Sequence, residues 1–552
     1  MDIAEKRTQA AALFSSMERV RAPWDVINKQ IKQYQVPRLG RFNTSDKDQR
    51  ASSAHIAHDG VKFSHRTLSS GLQSGATNPA RPWLRLTLRN RELAESASVR
   101  KWLHQGTELI LAVAARGDAY QSFHAAYDEI GAFGNAAVVL QADFENVVCS
   151  HVMTFGEWVC ARDDKGAGQV FGRRFRMTAG QMVAAFGKDR VSPEVLRAAE
   201  NTSRVQNFEI LHLVQERAQG VGKPGYSPAS RKRYSSCYYD MSHDTREPLR
   251  ESGYDRFPVL LPRWYVTSND TYGYGPGFDC LNSSFGLQHI ALRGAQALDY
   301  RVSPPVRVPT VLKGDNSWRM PGGVLYSDAQ DVAIRNLYEV QVNLQEISER
   351  ESRLMAFVRE AYYTDLFLML QSQPLSGSTA TEIAQRYEEK MTVLGPAVGR
   401  LHLGLIAPWV EFTFEQLVSK EVMPPAPPEI QDEELEVEFV STLAQAQKLV
   451  EGNTLDRFIG TVGNVAQIAS HAVHKVKWYK FVDKMADVLG VDPDLVASDE
   501  EADAAAGDEG QAQAQAQALA AAPGLARAAK DASAPEVQEM IQNAQNAQEV
   551  PA

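Results

Sequence analysis

The sequence predicts an α+β protein, mainly helical, with its strands gathered in the amino-terminal half. Two observations carry that prediction. Apolar residues recur at spacings of three, four and seven over long stretches, and short β-rich runs bounded by turn residues cluster between about 135 and 275. At 552 residues, 44% hydrophobic and 23% charged, the chain exceeds one ordinary core and divides into three or four regions.

Residues 1–36 read as two helices broken near Arg21-Ala22-Pro23, because Pro23 suits the first turn of a second helix. A polar loop over 43–53 leads to a short helix over 56–73. Trp83-Leu84-Arg85-Leu86-Thr87-Leu88 alternates as a strand, and 91–130 return to helical patterning. Ala136-Ala137-Val138-Val139-Leu140, residues 147–155 and Pro258-Val259-Leu260-Leu261-Pro262 are strand candidates, expected in one sheet with flanking helices. A low-complexity loop over 219–233 interrupts them.

A helix is expected over 283–300, followed by a compact insertion over 301–331 rich in Pro, Gly and β-branched residues. A long helix then begins near Asp331 and runs to Leu370, with Leu337, Val340, Leu344, Ile347, Leu354, Val358 and Ala361 at helical spacing. The polar stretch Gln371-Ser372-Gln373-Pro374-Leu375-Ser376-Gly377-Ser378 separates it from another helix over 379–418. The chain breaks at Pro424-Pro425-Ala426-Pro427-Pro428. Residues 435–495 read as helical, and beyond 499 the composition narrows to Ala, Gln, Asp and Glu.

The net charge of −10 is unevenly spread. Residues 1–428 hold 50 basic and 46 acidic side chains (+4), whereas 429–552 hold 8 and 22 (−14), so the two parts suit different surroundings. No run approaches eighteen uncharged apolar residues, and no membrane span or membrane partner is expected. The start, Met1-Asp2-Ile3-Ala4-Glu5-Lys6-Arg7, lacks the basic end and apolar block of a signal peptide, so the chain is expected to stay in the cytoplasm where it is made.

Little in the sequence points to catalysis. Cys149, Cys160, Cys237 and Cys280 are scattered, without metal-ligand spacing, and read as small buried hydrophobes. Gly220-Val221-Gly222-Lys223-Pro224 lacks the upstream Gly and the hydroxyl of a phosphate-binding loop, and Gly166-Ala167-Gly168 has no βαβ context. His55, His58 and Asp59 fall short of a ligand set, and His471 and His474 read as solvated. There is no Gly-x-Ser-x-Gly elbow. No catalytic residue, metal or cofactor is expected, and the chain reads as a non-enzyme. The run Arg231-Lys232-Arg233-Tyr234 could touch nucleic acid but reads first as a solvated loop. Between 286 and 320, Arg293, Arg301, Arg307, Lys313 and Arg319 stand against Asp299 and Asp315, a net of +3 that becomes a basic belt if repeated around a ring.

Four motifs resemble a known family. They are Ser69-Ser70-Gly71-Leu72 followed by Pro79-Ala80-Arg81-Pro82-Trp83-Leu84-Arg85-Leu86; Tyr274-Gly275-Pro276-Gly277; Ser378-Thr379-Ala380-Thr381-Glu382-Ile383; and the 424–428 break with Leu435-Glu436-Val437-Glu438-Phe439 and Leu443-Ala444-Gln445-Ala446-Gln447. Their order over about 400 residues is similar to that of the portal, or head-to-tail connector, proteins of short-tailed bacteriophages. The acidic tail after 499 matches no such motif. The resemblance implies a dodecameric ring in the virion at one capsid vertex, assembled in the host cytoplasm, through which double-stranded DNA is packaged and ejected. It implies a wing over 1–275, stem helices over 276–300 and 336–370, and a clip over 301–335. A channel loop over 371–378 (Gln371, Ser372, Gln373, Ser376, Gly377 and Ser378), a wing helix over 379–428, a crown over 429–498 and an extension over 499–552 would complete the subunit. Arg293, Arg301, Arg307, Lys313 and Arg319 would then face DNA. The partners implied are other copies of the chain, DNA, terminase, tail adaptor proteins, and major capsid and scaffolding proteins. The alternative is another structural head-tail protein, an adaptor or scaffold, with a phage hydrolase behind it.

Overall fold

A computed structural model describes residues 3–42, 56–90, 93, 96–201, 205–217, 232–243, 247–302, 306–307, 335–336, 343–371, 394–430, 435–439, 458–462, 476–489 and 502–503. The chain divides into two units, Met1–Gln447 and Lys448–Ala552.

In the first unit, α1 (Ile3–Tyr34) is continuous, with Pro23 inside it. This corrects the expected break. Arg21, buried in the turn before the proline, pairs with Asp25 in the turn after it at 3.0 Å and also donates to the backbone carbonyl of Trp158. The ion pair bridges the position where Pro removes a backbone donor.

Next come α2 (Gly60–Ala76), β1 (Leu84–Leu88), α3 (Ala97–Arg116) and α4 (Ala119–Phe133). In β1 Leu84, Leu86 and Leu88 are buried while Arg85 and Thr87 are partly exposed, the alternation of a half-covered strand. Helix α4 ends on Gly134, whose φ of +71° forms a left-handed cap.

The expected single sheet is two. β2 (Ala137–Asp143) and β3 (Val147–Met153) form an antiparallel hairpin. Then β4 (Trp158–Arg162), β5 (Gly168–Thr178), β6 (Asn207–Glu216), β7 (Tyr234–Asp240) and β8 (Arg250–Tyr254) build a five-stranded meander in sequence order. Between β5 and β6 sit α5 (Ala179–Phe186), started by a Thr178–Gln181 capping box, and α6 (Pro193–Glu200), capped by Ser192. β9 (Val259–Leu260) returns to the free edge of β2, giving the order β3-β2-β9. The meander escaped the sequence reading because its strands are rich in charge. β5 carries Arg173, Arg174 and Arg176, yet Arg173 lies over Phe175 at 4.3 Å and Arg174 over Phe14 at 4.7 Å. Their stems cover apolar surface that a hydrophobicity pattern scores as polar. Phe133, Phe155, Trp158, Phe171 and Tyr272 are buried in one aromatic core where α4, β4, β5 and the loop after β9 meet.

The rest of the first unit is helical. After α7 (Pro276–Asp279) come α8 (Leu281–Val302), the short pair β10 (Val306–Arg307) and β11 (Arg335–Asn336), α9 (Leu344–Ala361) and α10 (Thr364–Gln371). Residues 394–401 are helical and run through a π turn at His402–Ile406 into α11 (Ala407–Ser419). The long helix expected over 331–370 is therefore corrected. Arg335–Asn336 is strand, Asn343 caps α9 by accepting from the backbone N–H groups of Gln345 and Glu346, and Tyr363 at φ +52° parts α9 from α10. Leu337 and Val340 lie outside the described residues.

The last correction in this unit concerns β12 (Leu435–Phe439), expected as helix. It pairs antiparallel with β1 in the register Leu84↔Phe439, Leu86↔Val437 and Leu88↔Leu435. Leu-Glu-Val-Glu-Phe has the two-residue period of a strand, and its partner completes what would otherwise be a lone strand. Two of the four motifs thus pair with each other. In the second unit the described residues include α12 (Trp478–Leu489) and helical backbone at 458–462. No helix among the described residues is long and apolar enough to cross a membrane.

Candidate nucleic-acid interface

Helices α8 and α9 form an antiparallel hairpin closed near its far end by the β10–β11 pair. Leu354 packs on Gly286, where an added Cβ would lie 3.0 Å from Leu354 Cδ1. Ile347 meets Gly294 near the other end, at 3.6 Å. The glycines let the helices approach along one face of α8. At 22 and 18 residues the helices span ~33 and ~27 Å.

The root of the hairpin is tied by saturated polar groups. The buried Gln288 side chain accepts from Ala57 N (2.6 Å) and His58 N (2.8 Å) and donates to His58 O (2.9 Å) and Tyr34 O (3.3 Å). At the α9–α10 joint the fully buried Tyr362 donates its hydroxyl to Gln35 Oε1 at 2.6 Å, and Gln35 Nε2 donates to Gly277 O. Gly277 itself belongs to the Tyr-Gly-Pro-Gly motif, and a Cβ there would meet the Ala132 carbonyl oxygen at 2.2 Å. Asn135 knits the same crossing, donating to Gly273 O and accepting from Gly273 N. The motif lets two backbones cross where side chains do not fit.

The expected DNA-facing residues divide unequally. Arg293 and Arg301 lie on exposed positions of α8, and Arg293 donates to Gln296 at 2.9 Å. Arg307 is in β10, in register with Arg335 of β11, a further basic residue that the sequence reading missed. Lys313 and Arg319 lie outside the described residues. Of the polar stretch, Gln371 is corrected from loop to the last residue of α10, while Ser372, Gln373, Ser376, Gly377 and Ser378 lie outside the described residues.

The remaining sequence candidates have structural partners. Lys232 pairs with Asp255 at 3.1 Å, and Arg233 pairs with Glu216 at 2.8 Å, so these two are bound into the meander, while Arg231 lies outside the described residues. His58 Nε2 meets Glu351 of α9 at 3.1 Å and its Nδ1 accepts from Gly60 N. Gly166 at φ +81° turns the β4–β5 hairpin, where Asp163 accepts from the backbone of Lys165 and Ala167. The cysteines are free thiols. Cys160 and Cys280 are buried, whereas Cys149 and Cys237 are only partly so. Burial pushes Cys149 and Cys237 up to about 11 and Cys280 to about 12, away from the thiolate a nucleophile needs. Among the described residues no group of three or more His, Cys, Asp or Glu is placed to hold a metal. His55, His471 and His474 lie outside them.

The hairpin also exposes apolar surface. Phe285, Leu292 and Tyr300 are 52%, 52% and 49% exposed, at spacings of seven and eight along α8, and Phe357 of α9 is 59% exposed. His289 stacks on Phe285 in the same stripe.

Comparison with known proteins gives the family. The model of the bacteriophage head to tail connecting protein family matches residues 7–496. A probable portal protein of Bordetella phage BPP-1 is 37% identical over 481 residues, 86% of this chain and 86% of that protein. A portal protein of Salmonella phage epsilon15 is 31% identical over 471 residues, 84% of each. Among solved structures, a chain from the virion of a native gene transfer agent particle is 12% identical with a TM-score of 0.34, covering 74% of this chain and 87% of that one. A chain from the neck of an empty gene transfer agent particle is 14% identical with a TM-score of 0.37, covering 76% and 92%. On the family match and on both relatives, this chain belongs to the bacteriophage head-to-tail connecting proteins, the portal proteins of the virion.

Proposed function

We propose that the chain assembles as a closed ring, a dodecamer, at one vertex of a phage capsid, and that double-stranded DNA passes through it during packaging and ejection. In this reading α8 and α9 are the stem, the chain between them is the clip that meets terminase and later tail adaptor proteins, and the acidic carboxyl-terminal part forms the crown and its extension. The wing would adjoin capsid and scaffolding proteins. The β1–β12 pairing supports counting 435–439 with the wing in this reading.

One observation carries the ring: the exposed apolar stripe on α8. Half-exposed Phe, Leu and Tyr side chains on a narrow hairpin have no core of their own to enter, and covering them with a neighbour contributes on the order of 1 kcal/mol each. A contact between unlike faces, repeated by rotation, closes into a ring. The test is native mass spectrometry with electron microscopy of the purified chain. Closed rings are expected; a chain that stays monomeric at high concentration overturns the reading.

Arg293, Arg301 and Arg307, with Lys313 and Arg319, would line the passage and neutralise phosphates without reading bases, giving weak, sequence-independent, salt-sensitive binding. Replacing Arg293 and Arg307 by Gln separates the roles. Loss of DNA retention with rings intact supports the channel, and collapsed rings assign the arginines to the interface. Energy for packaging would come from a separate motor docked on the clip.

A further inference from the structure

Several buried or partly buried arginines of the first unit face a carboxylate. Arg21 meets Asp25, Arg173 meets Glu157, Arg174 meets Glu209 and Arg217 meets Glu251. Arg162, Arg263 and the exposed Arg400 have no such partner among the described residues. All three gather on the 261–265 segment, and every hydrogen bond they make is to a backbone carbonyl. Arg162 donates to Thr271 O (2.9 Å), Gly166 O (3.0 Å) and Leu261 O (2.8 Å). Arg263 donates to Asp270 O (2.6 Å), taking that residue's carbonyl rather than its carboxylate, and its Nη2 also lies against Gly166. Arg400 donates to Trp264 O (3.0 Å) and lies 5.0 Å over the ring of Tyr265.

Among the described residues no carboxylate lies within ion-pair distance of these three guanidinium groups; Asp270 acts on Arg263 from further off, and it and the backbone carbonyls offset the local positive field only in part. Burial, with Arg162 and Arg400 nearby, draws Arg263 down to about 10, the direction expected of a cation crowded by cations. Arg162 is spent as a staple, tying three segments together. Arg263 and Arg400 each donate a single hydrogen bond, and Arg400 is exposed, so both retain N–H groups for a ligand approaching from solvent.

We propose that Arg263 and Arg400, backed by Arg162, form an oxyanion site for a phosphate group. The planar forks of two arginines suit the tetrahedral oxygens of phosphate, and the site lies on the loop after β9 and the helix leading into α11. The inference does not depend on the ring, because one chain supplies all three residues. Two sources share this chemistry, the phosphodiester backbone of DNA and free inorganic phosphate.

The test titrates the purified full-length chain with inorganic phosphate at constant ionic strength by calorimetry, then repeats the titration in the presence of a short DNA duplex. Saturable binding is expected, weakened roughly tenfold or more in Arg400→Gln and again in Arg263→Gln, as for loss of a charged hydrogen bond. Arg400→Lys should recover part of it. Near-ultraviolet circular dichroism checks that each variant is folded. Arg400→Gln, at an exposed position, keeps the test valid if Arg263→Gln does not fold. Competition by the duplex, lost in Arg400→Gln, identifies the DNA backbone as the source; phosphate binding without competition identifies the free ion. No saturable binding, or binding equal in wild type and Arg400→Gln, overturns the site and leaves the three arginines as staples.

Discussion

Gly71 offers a sharp test of how the amino-terminal motif works. It lies in α2 beneath the ring of Phe367 of α10, and a Cβ there would sit 2.2 Å from Phe367 Cδ1 and 2.3 Å from Cγ. Phe367 is itself 1% exposed, so the ring has no open space to move into. Gly71→Ala gains about 1 kcal/mol of helix propensity. Against it stands overpacking, about 1–3 kcal/mol, and the closeness of the ring favours the upper end. The expected net is a loss of about 2 kcal/mol. Urea unfolding at fixed protein concentration measures it, since any self-association links stability to concentration. Phe367→Ala alone should cost about 3–5 kcal/mol through the cavity it leaves. In the double variant the new methyl group enters that cavity, so the combined loss should fall below the sum by about 1 kcal/mol or more. A Gly71→Ala chain as stable as wild type, or strictly additive losses, would refute the packing argument.

Three further outcomes are expected. Glu129 is buried and accepts from Thr154 Oγ1 (2.6 Å) and Phe155 N (2.9 Å), and burial raises its carboxyl from 4.5 to about 8. Its folded pKa lies above its unfolded one, so the folded state holds the extra proton. Stability from this group is complete below about pH 4.5 and falls as pH rises toward 8, by up to about 1.4 kcal/mol per pH unit. Glu129→Gln should flatten that slope in urea melts from pH 5 to 8, and an unchanged slope would assign it to other groups. Tyr362→Phe removes the hydroxyl on buried Gln35 Oε1 and should cost about 1–3 kcal/mol, read as a lower urea midpoint at an unchanged slope. Truncation after Gln447 keeps the β1–β12 pair and should leave a soluble, folded chain by circular dichroism and light scattering. Truncation after Ile430 strips the partner from β1 and should aggregate, since an unpaired apolar edge is exposed.

The course of the polypeptide was legible wherever side-chain period alone decides the element. The helix over 283–300, the strand at 84–88 and the strands near 137 and 147 appear within a few residues of their expected places, because one face of each meets a core and the other meets water. The order of the motifs pointed to the family that the comparisons show. Gly71, Gly275 and Gly277 also stood out as motif residues, although only the folded chain reveals why. Each lies where a neighbouring ring or backbone occupies the volume of a side chain.

What the sequence could not decide was set by partners distant along the chain. Pro23 read as a break because local rules weigh only the lost backbone bond, whereas the fold adds the Arg21–Asp25 pair and the Trp158 carbonyl. Leu435–Phe439 read as helix beside helical neighbours, until β1 supplied the ladder that only a strand can complete. The charged strands of the meander became legible only with the aromatic faces on which their arginines lie. The cluster of Arg162, Arg263 and Arg400 left no trace in any spacing. Sequence fixes period, charge and turn chemistry, which act over a few residues. Tertiary structure determines which distant groups share a site, and there the energies of burial, pairing and like-charge crowding take their sign from neighbours that local sequence does not name.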